Sequence, residues 1–373
     1  MILTIISHTP HYRKSKKIYG FGPTIDEINF LKRNFTRIYH LAPFYSEYCP
    51  KNTNMYLSNN IIYVPLKLSG GPGLINKLKI LLSFPQNMMT VQKYCSMANL
   101  VHFRSPTNLG LFVLPYISFF LNKPRWIKYA GNWNQDKPPF SYNFQRLWLK
   151  YNFHNSPVTI NGKWPNQKPH LFSFENPCIL EDQLKTSVQK AKSKDYSKRL
   201  NICFVGRLEE EKGILIILSA LKKFKSHDWI DKIFIVGDGT LNTDVQFIAE
   251  KIKSINFQIM GNISRTKLDQ IYKICHILIL PSKSEGFPKV VAEASAFGCV
   301  SIVSNVGSIS NYVNNTNGYL LKQITDESLY NKLKKIKNKR ELLQIKAANS
   351  LDIPLKFTFE SYNSKIKKIL ELK

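Results

Sequence analysis

Two glutamates eight residues apart, Glu285 and Glu293, are the first candidates for chemistry. In Leu280-Pro-Ser-Lys-Ser-Glu285-Gly-Phe-Pro-Lys-Val-Val-Ala-Glu293-Ala-Ser-Ala-Phe-Gly298 an apolar run ends at Leu280, a small polar loop follows, and Pro288 stands where the first helical turn should begin. Gly298 supplies the helix stop. Free amides around Gly286–Lys289 at such a helix start suit anionic or hydroxyl groups. Eight helical residues span at most ~12 Å, so the two carboxylates can hold hydroxyls at opposite ends of an extended ligand. The competing reading is a capped helix with two solvated glutamates, which leaves the serine, glycine and aromatic around Glu285 unexplained. A second cluster is Phe204-Val-Gly206-Arg207-Leu-Glu-Glu-Glu-Lys212-Gly213, which places two cations five residues apart in the turn before a helix starting near Ile214. Arginine grips a phosphate bidentately and lysine acts as a mobile point charge. A plain surface loop has a similar composition.

These turns need strands to aim them. Short apolar runs recur at Ile2–Ile6, Ile38–Leu41, Ile61–Val64, Leu100–Phe103, Trp126–Tyr129, Val158–Ile160, Ile202–Val205, Ile233–Val236, Phe257–Met260, Ile277–Leu280 and Val300–Val303, with helical spacing between most of them. Strands alternating with helices predict parallel sheets covered on both faces, an α/β class. In such sheets ligands sit beyond the carboxyl ends of the strands. The 373 residues exceed the size of one core. The turn-rich stretch Asn161–His170 marks the approach to a hinge, giving domains at 1–172 and 173–355 and a terminal helix in 356–373.

The chain carries 53 basic and 25 acidic residues, a net +28. The first 175 residues hold 21 basic and 5 acidic side chains, +16, so the front half is nearly without acids. A basic excess attracts nucleic acid, anionic membrane or phosphorylated small molecules; codon bias toward lysine explains the same excess without a partner. Six scattered cysteines suggest neither a disulfide framework nor a zinc site. The start, Met-Ile-Leu-Thr-Ile-Ile-Ser-His, reads as a buried strand and not a signal peptide. The longest apolar run, Leu109–Leu121, is too short to span a bilayer. A cytoplasmic chain is expected, soluble or peripheral on the inner face of the membrane.

In residues 200–315 the order Gly206-Arg207-Leu-x-x-x-Lys212-Gly213, Val236-Gly-Asp-Gly239, Gly261-Asn-Ile-Ser264 and Pro-Ser-x-Ser-Glu285-Gly-Phe-Pro, with Glu293 eight residues on, resembles family 4 of the nucleotide-sugar-dependent glycosyltransferases. The resemblance implies the GT-B fold: two Rossmann-like doubly wound domains facing a cleft, with the terminal helix crossing back to the N-terminal domain. It implies retaining transfer from a UDP-sugar or GDP-sugar to a glycan or lipid-linked acceptor, in bacterial surface polysaccharide synthesis. Carried over by position, Arg207 and Lys212 would bind the donor diphosphate and Glu293 the ribose, while Glu285 and the amides of Gly286 and Phe287 would hold the sugar. Gly206 and Gly237 would belong to the donor site, the amides of Val290 and Val291 would approach the phosphates, and Gly261 and Ile263 would lie in the loop that meets the base. No Asp-x-Asp occurs, so no metal and no cofactor beyond the donor is expected; the two cations would replace the ion.

The front half matches mainly in strand rhythm. There Gly20-Phe-Gly22-Pro-Thr24-Ile-Asp-Glu27 reads as a glycine turn feeding a helix, with Thr24 and Glu27 forming a capping box. Gly20 and Gly22 would approach phosphates or acceptor, or serve the turn alone. Relatives often carry a histidine after the fifth strand; none is present in Trp126–Trp133, so any polar role there falls to Asn132 or a nearby loop. Arg104 is expected to point into the cleft, a buried ion pair being the alternative, and His102 to be a hydrogen-bonded strand histidine. The segment Gly73–Phe84, apolar on one side with Lys77 and Lys79 on the other, is a candidate for anionic membrane. Two other classes compete: another sugar-nucleotide enzyme such as an epimerase or a phosphorylase, and a nucleic-acid binder. The latter lacks any recognition signature, so no nucleic-acid partner is expected.

Overall fold

The computed structural model describes residues 1–68 and 74–372, with the side chains of 74–82 outside the description. Two compact units emerge: Met1–Phe174 together with Asn363–Lys373, and Glu175–Tyr362. Each is an α/β unit built on a parallel sheet. Among the described residues the front unit has a seven-stranded sheet, in the order Leu171–Phe174, Val158–Asn161, Arg125–Tyr129, Leu100–Ser105, Ile2–Ile6, Arg37–Pro43 and Ile61–Leu66. The back unit has six strands, ordered Asn256–Gly261, Ile230–Val236, Leu200–Val205, Ile277–Leu280, Val300–Ser304 and Gly318–Leu321.

Every strand expected from an apolar run is present. The reason is burial on both faces: Leu3 and Ile5 enter one core cluster of the front sheet while Ile6 enters another. The back sheet packs into a single large cluster in which Ile202, Ile235, Ile277, Ile279 and Val300 are almost fully enclosed. The helix after Leu280 runs Lys289–Ala296 with Pro288 as its cap residue, and Gly298 follows at φ +76°. The terminal helix is Phe359–Leu370, beginning in the back unit and ending in the front one.

The front half also holds a small antiparallel sheet, His11–Lys14, Lys17–Phe21 and Thr53–Met55, which polar composition conceals. Gly20 sits in it, paired with His11, and Gly22 opens the helix Gly22–Leu31. The capping box is corrected. The cap residue of that helix is Phe21 with no side-chain cap, and Glu27 is 1% exposed. Its carboxylate accepts from Arg104 Nη1 at 2.6 Å and from Lys128 Nζ at 2.8 Å. Arg104, only 9% exposed, is therefore committed to a buried ion pair and does not stand open to a cleft. His102 stacks on Trp126 at 3.7 Å; its Nδ1 meets the Trp126 carbonyl, but its buried Nε2 has no partner among the described residues.

Enclosure gives the fold a pH limit. Burial lowers His11, His154 and His276 to about 4, and His40 and His102 well below the ordinary 6.5. These rings stay neutral when folded but take protons below pH 6.5 when unfolded, so stability falls as pH drops from 6.5 toward 4. Urea midpoints measured at pH 7.5, 6 and 5 should decrease in that order; a flat profile would show the rings to be hydrated in solution.

The basic segment Gly73–Phe84 lies mostly outside the described residues. Backbone helix is present at Leu74–Met97, but Gly73 and the side chains of Lys77 and Lys79 are not described. No described helix is long and apolar enough to cross a membrane. All six cysteines are free.

Candidate active site

Three glycines end adjacent strands of the back sheet. Gly206 donates its amide to Val236 O, and Gly237 donates to Gly261 O at 2.9 Å. Gly237 has φ +129°, and a Cβ there would strike the Gly206 carbonyl. A side chain is excluded by both the conformation and the space. The row leaves a floor of bare backbone beyond the strand ends, the place where a ligand can approach closely.

Arg207 follows this floor, exposed, and its side chain has no partner among the described residues. Lys212 ends the short turn Glu210–Lys212, and Gly213 at φ +75° starts the helix Ile214–Lys222. Lys212 Nζ contacts Glu285 Oε1 at 2.5 Å, joining the two clusters singled out in the sequence. Both side chains are largely enclosed, at 20% and 11% exposure. Backbone ties fix the pair: Lys283 N donates to Glu211 O at 2.7 Å, and Ser308 N donates to Gly286 O at 2.9 Å.

The amides of Gly286 and Phe287 are not engaged by any described residue and precede the helix Lys289–Ala296. The Phe287 ring is core, stacked on Phe357 at 4.4 Å, so only its backbone is on offer. Val291 differs from expectation: its amide donates to Pro288 O at 3.0 Å and its side chain is fully buried, because it closes the first helical turn. Val290 carries no such bond.

Glu293 is 7% exposed and neutralised from a direction the sequence did not show. Arg265 Nη1 is in close contact with Glu293 Oε1, and Tyr272 OH donates to Oε2 at 3.3 Å. Arg265 also meets Asp269 at 2.9 Å. Burial, reinforced by the charge of Glu293, holds the Tyr272 hydroxyl well above its ordinary pKa, so it remains a donor. Arg265 opens the helix Arg265–Ile274 directly after the Gly261–Ser264 loop, with Ile263 half-buried against the core. Its only local signal was the Asp four residues on; Glu293 lies 28 positions away.

The front-half candidates lie in the other unit and are described there by themselves. Asn132 Oδ1 accepts from Asn134 N at 3.0 Å in the loop after Arg125–Tyr129. Gly20 and Gly22 serve the antiparallel sheet and the helix start, where a Cβ on Gly22 would press on Asn52 O at 2.9 Å.

The family profile of glycosyl transferases group 1 matches residues 185–350. An uncharacterized glycosyltransferase of Methanocaldococcus jannaschii is 28% identical over 170 residues, 45% of this chain and 47% of that protein. The Escherichia coli UDP-Gal:alpha-D-GlcNAc-diphosphoundecaprenol alpha-1,3-galactosyltransferase is 28% identical over 169 residues, 44% of this chain and 43% of that protein. The chain thus aligns with less than half the length of these curated relatives. The Anabaena protein HepE, solved with UDP and glucose, superposes with a TM-score of 0.67 at 16% identity, covering 99% of each chain. That likeness extends the two-unit GT-B architecture to the front half. Residues 185–350, which carry the cations, both glutamates and the glycine floor, are the part of the chain that matches the glycosyl transferases group 1 family.

Proposed function

We propose that the chain is a retaining glycosyltransferase that moves a sugar from a UDP-sugar or GDP-sugar to a glycan or lipid-linked saccharide, in bacterial surface polysaccharide synthesis. The observation that carries this reading is the contact of Lys212 with Glu285 beside the glycine floor and the unpartnered Arg207. A diphosphate over the floor would draw Arg207 and Lys212 to its oxygens and release Glu285 to the sugar hydroxyls. Catalysis would come from cations and helix-start amides that stabilise the departing diphosphate, with the acceptor held against the same sugar face. These cations would supply the charge that a metal provides elsewhere. The lipid-linked acceptor is supported by the activity of the Escherichia coli relative, the surface-polysaccharide pathway by similarity to a Salmonella typhimurium lipopolysaccharide N-acetylglucosaminetransferase, and the UDP donor by the HepE complex.

A panel of UDP- and GDP-sugars tested by thermal shift should raise the melting temperature with one nucleotide strongly preferred. No shift with any of them would remove the reading.

Attachment to the inner face of a cell membrane is part of the proposal. It is supported by an aromatic face on the front unit. Phe119, Phe120, Tyr151 and Phe153 are 55–78% exposed around Trp148, with Lys150 and Lys168 at the edge. Asp136 is the only acid between residues 105 and 174. Aromatic rings with a basic rim suit an anionic lipid interface. Replacing Phe119 and Phe153 by serine should weaken binding to phosphatidylglycerol vesicles about tenfold or more. Equal sedimentation of both forms with such vesicles counts against this face.

A further inference from the structure

We propose that Arg265 and Tyr272 are positioning residues that preset the Glu293 carboxylate for the cis-diol of a ribonucleotide, so that the 2′-deoxy and 3′-deoxy forms are discriminated against. The proposal rests on the transferase reading, in which Glu293 meets the donor ribose, and it names what selects that part of the donor. Glu293 stands in the helix Lys289–Ala296 with its side chain 9% exposed. A carboxylate so enclosed loses most of its hydration and needs partners to stay charged.

Both partners come from a single neighbouring helix, Arg265–Ile274. Seven residues make about two helical turns, so Arg265 and Tyr272 lie on the same side of it. Arg265 Nη1 contacts Oε1, and the hydroxyl of the fully buried Tyr272 donates to Oε2 at 3.3 Å. Asp269, one turn after Arg265, lies 2.9 Å from its Nε and fixes the plane of the guanidinium. Burial alone would lower the Arg265 pKa; the charges of Glu293 and Asp269 outweigh it and raise it, so the group stays cationic.

This arrangement fixes how many hydroxyls Glu293 can still accept. A carboxylate has about four lone-pair positions, two on each oxygen. With Arg265 on one oxygen and Tyr272 on the other, one position per oxygen is left among the described residues. Neighbouring cis hydroxyls present two donors side by side and match that pair of positions. A single hydroxyl leaves one enclosed acceptor empty, and an unmade bond to a charged group is destabilising.

Docking of the two helices does not by itself require the ion pair. Lys194 Nζ already ties their carboxyl-terminal ends, donating to Tyr272 O at 3.1 Å and Cys275 O at 2.5 Å on one side and to Phe297 O at 2.6 Å on the other. An ammonium there also complements both helix dipoles. Arg265 sits at the opposite end of its helix, where what it adds is the orientation and charge balance of Glu293.

Isothermal titration of the full chain with UDP and GDP, each beside its 2′-deoxy and 3′-deoxy forms, tests this. For the preferred nucleotide both deoxy forms should bind about tenfold or more weaker, the scale of one hydrogen bond to a charged group. Arg265→Met should bring that ratio toward one and raise the donor KM while kcat changes less than about twofold, because it removes binding shared by ground and transition states. Arg265→Lys should recover part of the ratio. Tyr272→Phe, which keeps the ring, should lower the ratio with a melting temperature near the original, and it decides the matter together with the original chain should Arg265→Met fail to fold. A merely structural role would lower the melting temperature and leave the ratio in place. Either deoxy form binding as tightly as its parent, or an unchanged ratio in the variants, overturns the proposal. Absence of UDP and GDP binding to the original chain is a separate result, which overturns the transferase reading and this inference with it.

Discussion

Glu285→Gln is expected to cut turnover about a hundredfold or more, with the melting temperature and UDP affinity close to those of the original chain. The carboxylate faces Lys212 at 2.5 Å in a largely enclosed pair. The amide keeps the shape but loses the charge that draws a sugar hydroxyl and sets the lysine. Removing one group aimed at developing charge typically costs two to three orders of magnitude, roughly 2.7–4 kcal/mol. Lys212→Ala should differ in kind: donor affinity and turnover both fall, because its ammonium is assigned to the phosphates in ground and transition states alike. UDP release measured at saturating and limiting donor separates the two patterns. Near-original turnover in either variant would mean that the chemistry lies elsewhere.

Glu27→Gln should destabilise the front unit by about 3–5 kcal/mol, the cost of breaking a buried pair by removing one partner. Arg104 and Lys128, 9% and 2% exposed, would be left facing a neutral amide. Four of the five tryptophans, Trp126, Trp133, Trp148 and Trp164, belong to this unit, so tryptophan fluorescence in urea reports its unfolding. UDP binding by the back unit should be unchanged. A loss below about 1 kcal/mol would place the cluster in water, where ion pairs are worth that little.

This pair of glutamates also marks where a linear sequence is legible. The loop and helix start around Glu285 were legible because they are local, a strand end, a small polar loop and a proline that starts a helix, whereas its contact with Lys212, 73 residues away, was not. Glu27 was misread for the latter reason. Thr24-x-x-Glu27 has the spacing of a capping box, but the partners that decide its role lie 77 and 101 residues away. The parallel strands announced themselves because burial on both faces demands unbroken apolar runs. Lys17–Phe21 and Thr53–Met55 did not, since a small, partly solvated antiparallel sheet tolerates lysine, asparagine and threonine. Arg265 escaped notice because a lone arginine at a helix start is unremarkable until Glu293 appears beside it. The clamp of Lys194 belongs to the same class, a side chain whose meaning lies in a distant backbone.

The backbone tie from Lys283 to Glu211 has a kinetic meaning. A Cβ on Gly213 would strike the Pro281 carbonyl, so the cation-bearing turn and the carboxylate-bearing loop are in contact there as well as at the hydrogen bond. Such a pair cannot open independently; to expose one strand end to solvent the molecule must loosen both. Their amides should therefore exchange with deuterium in step, as one cooperative unit. Donor association would then proceed on a surface that is already ordered, with its rate set by diffusion and charge and not by a search among loop conformations.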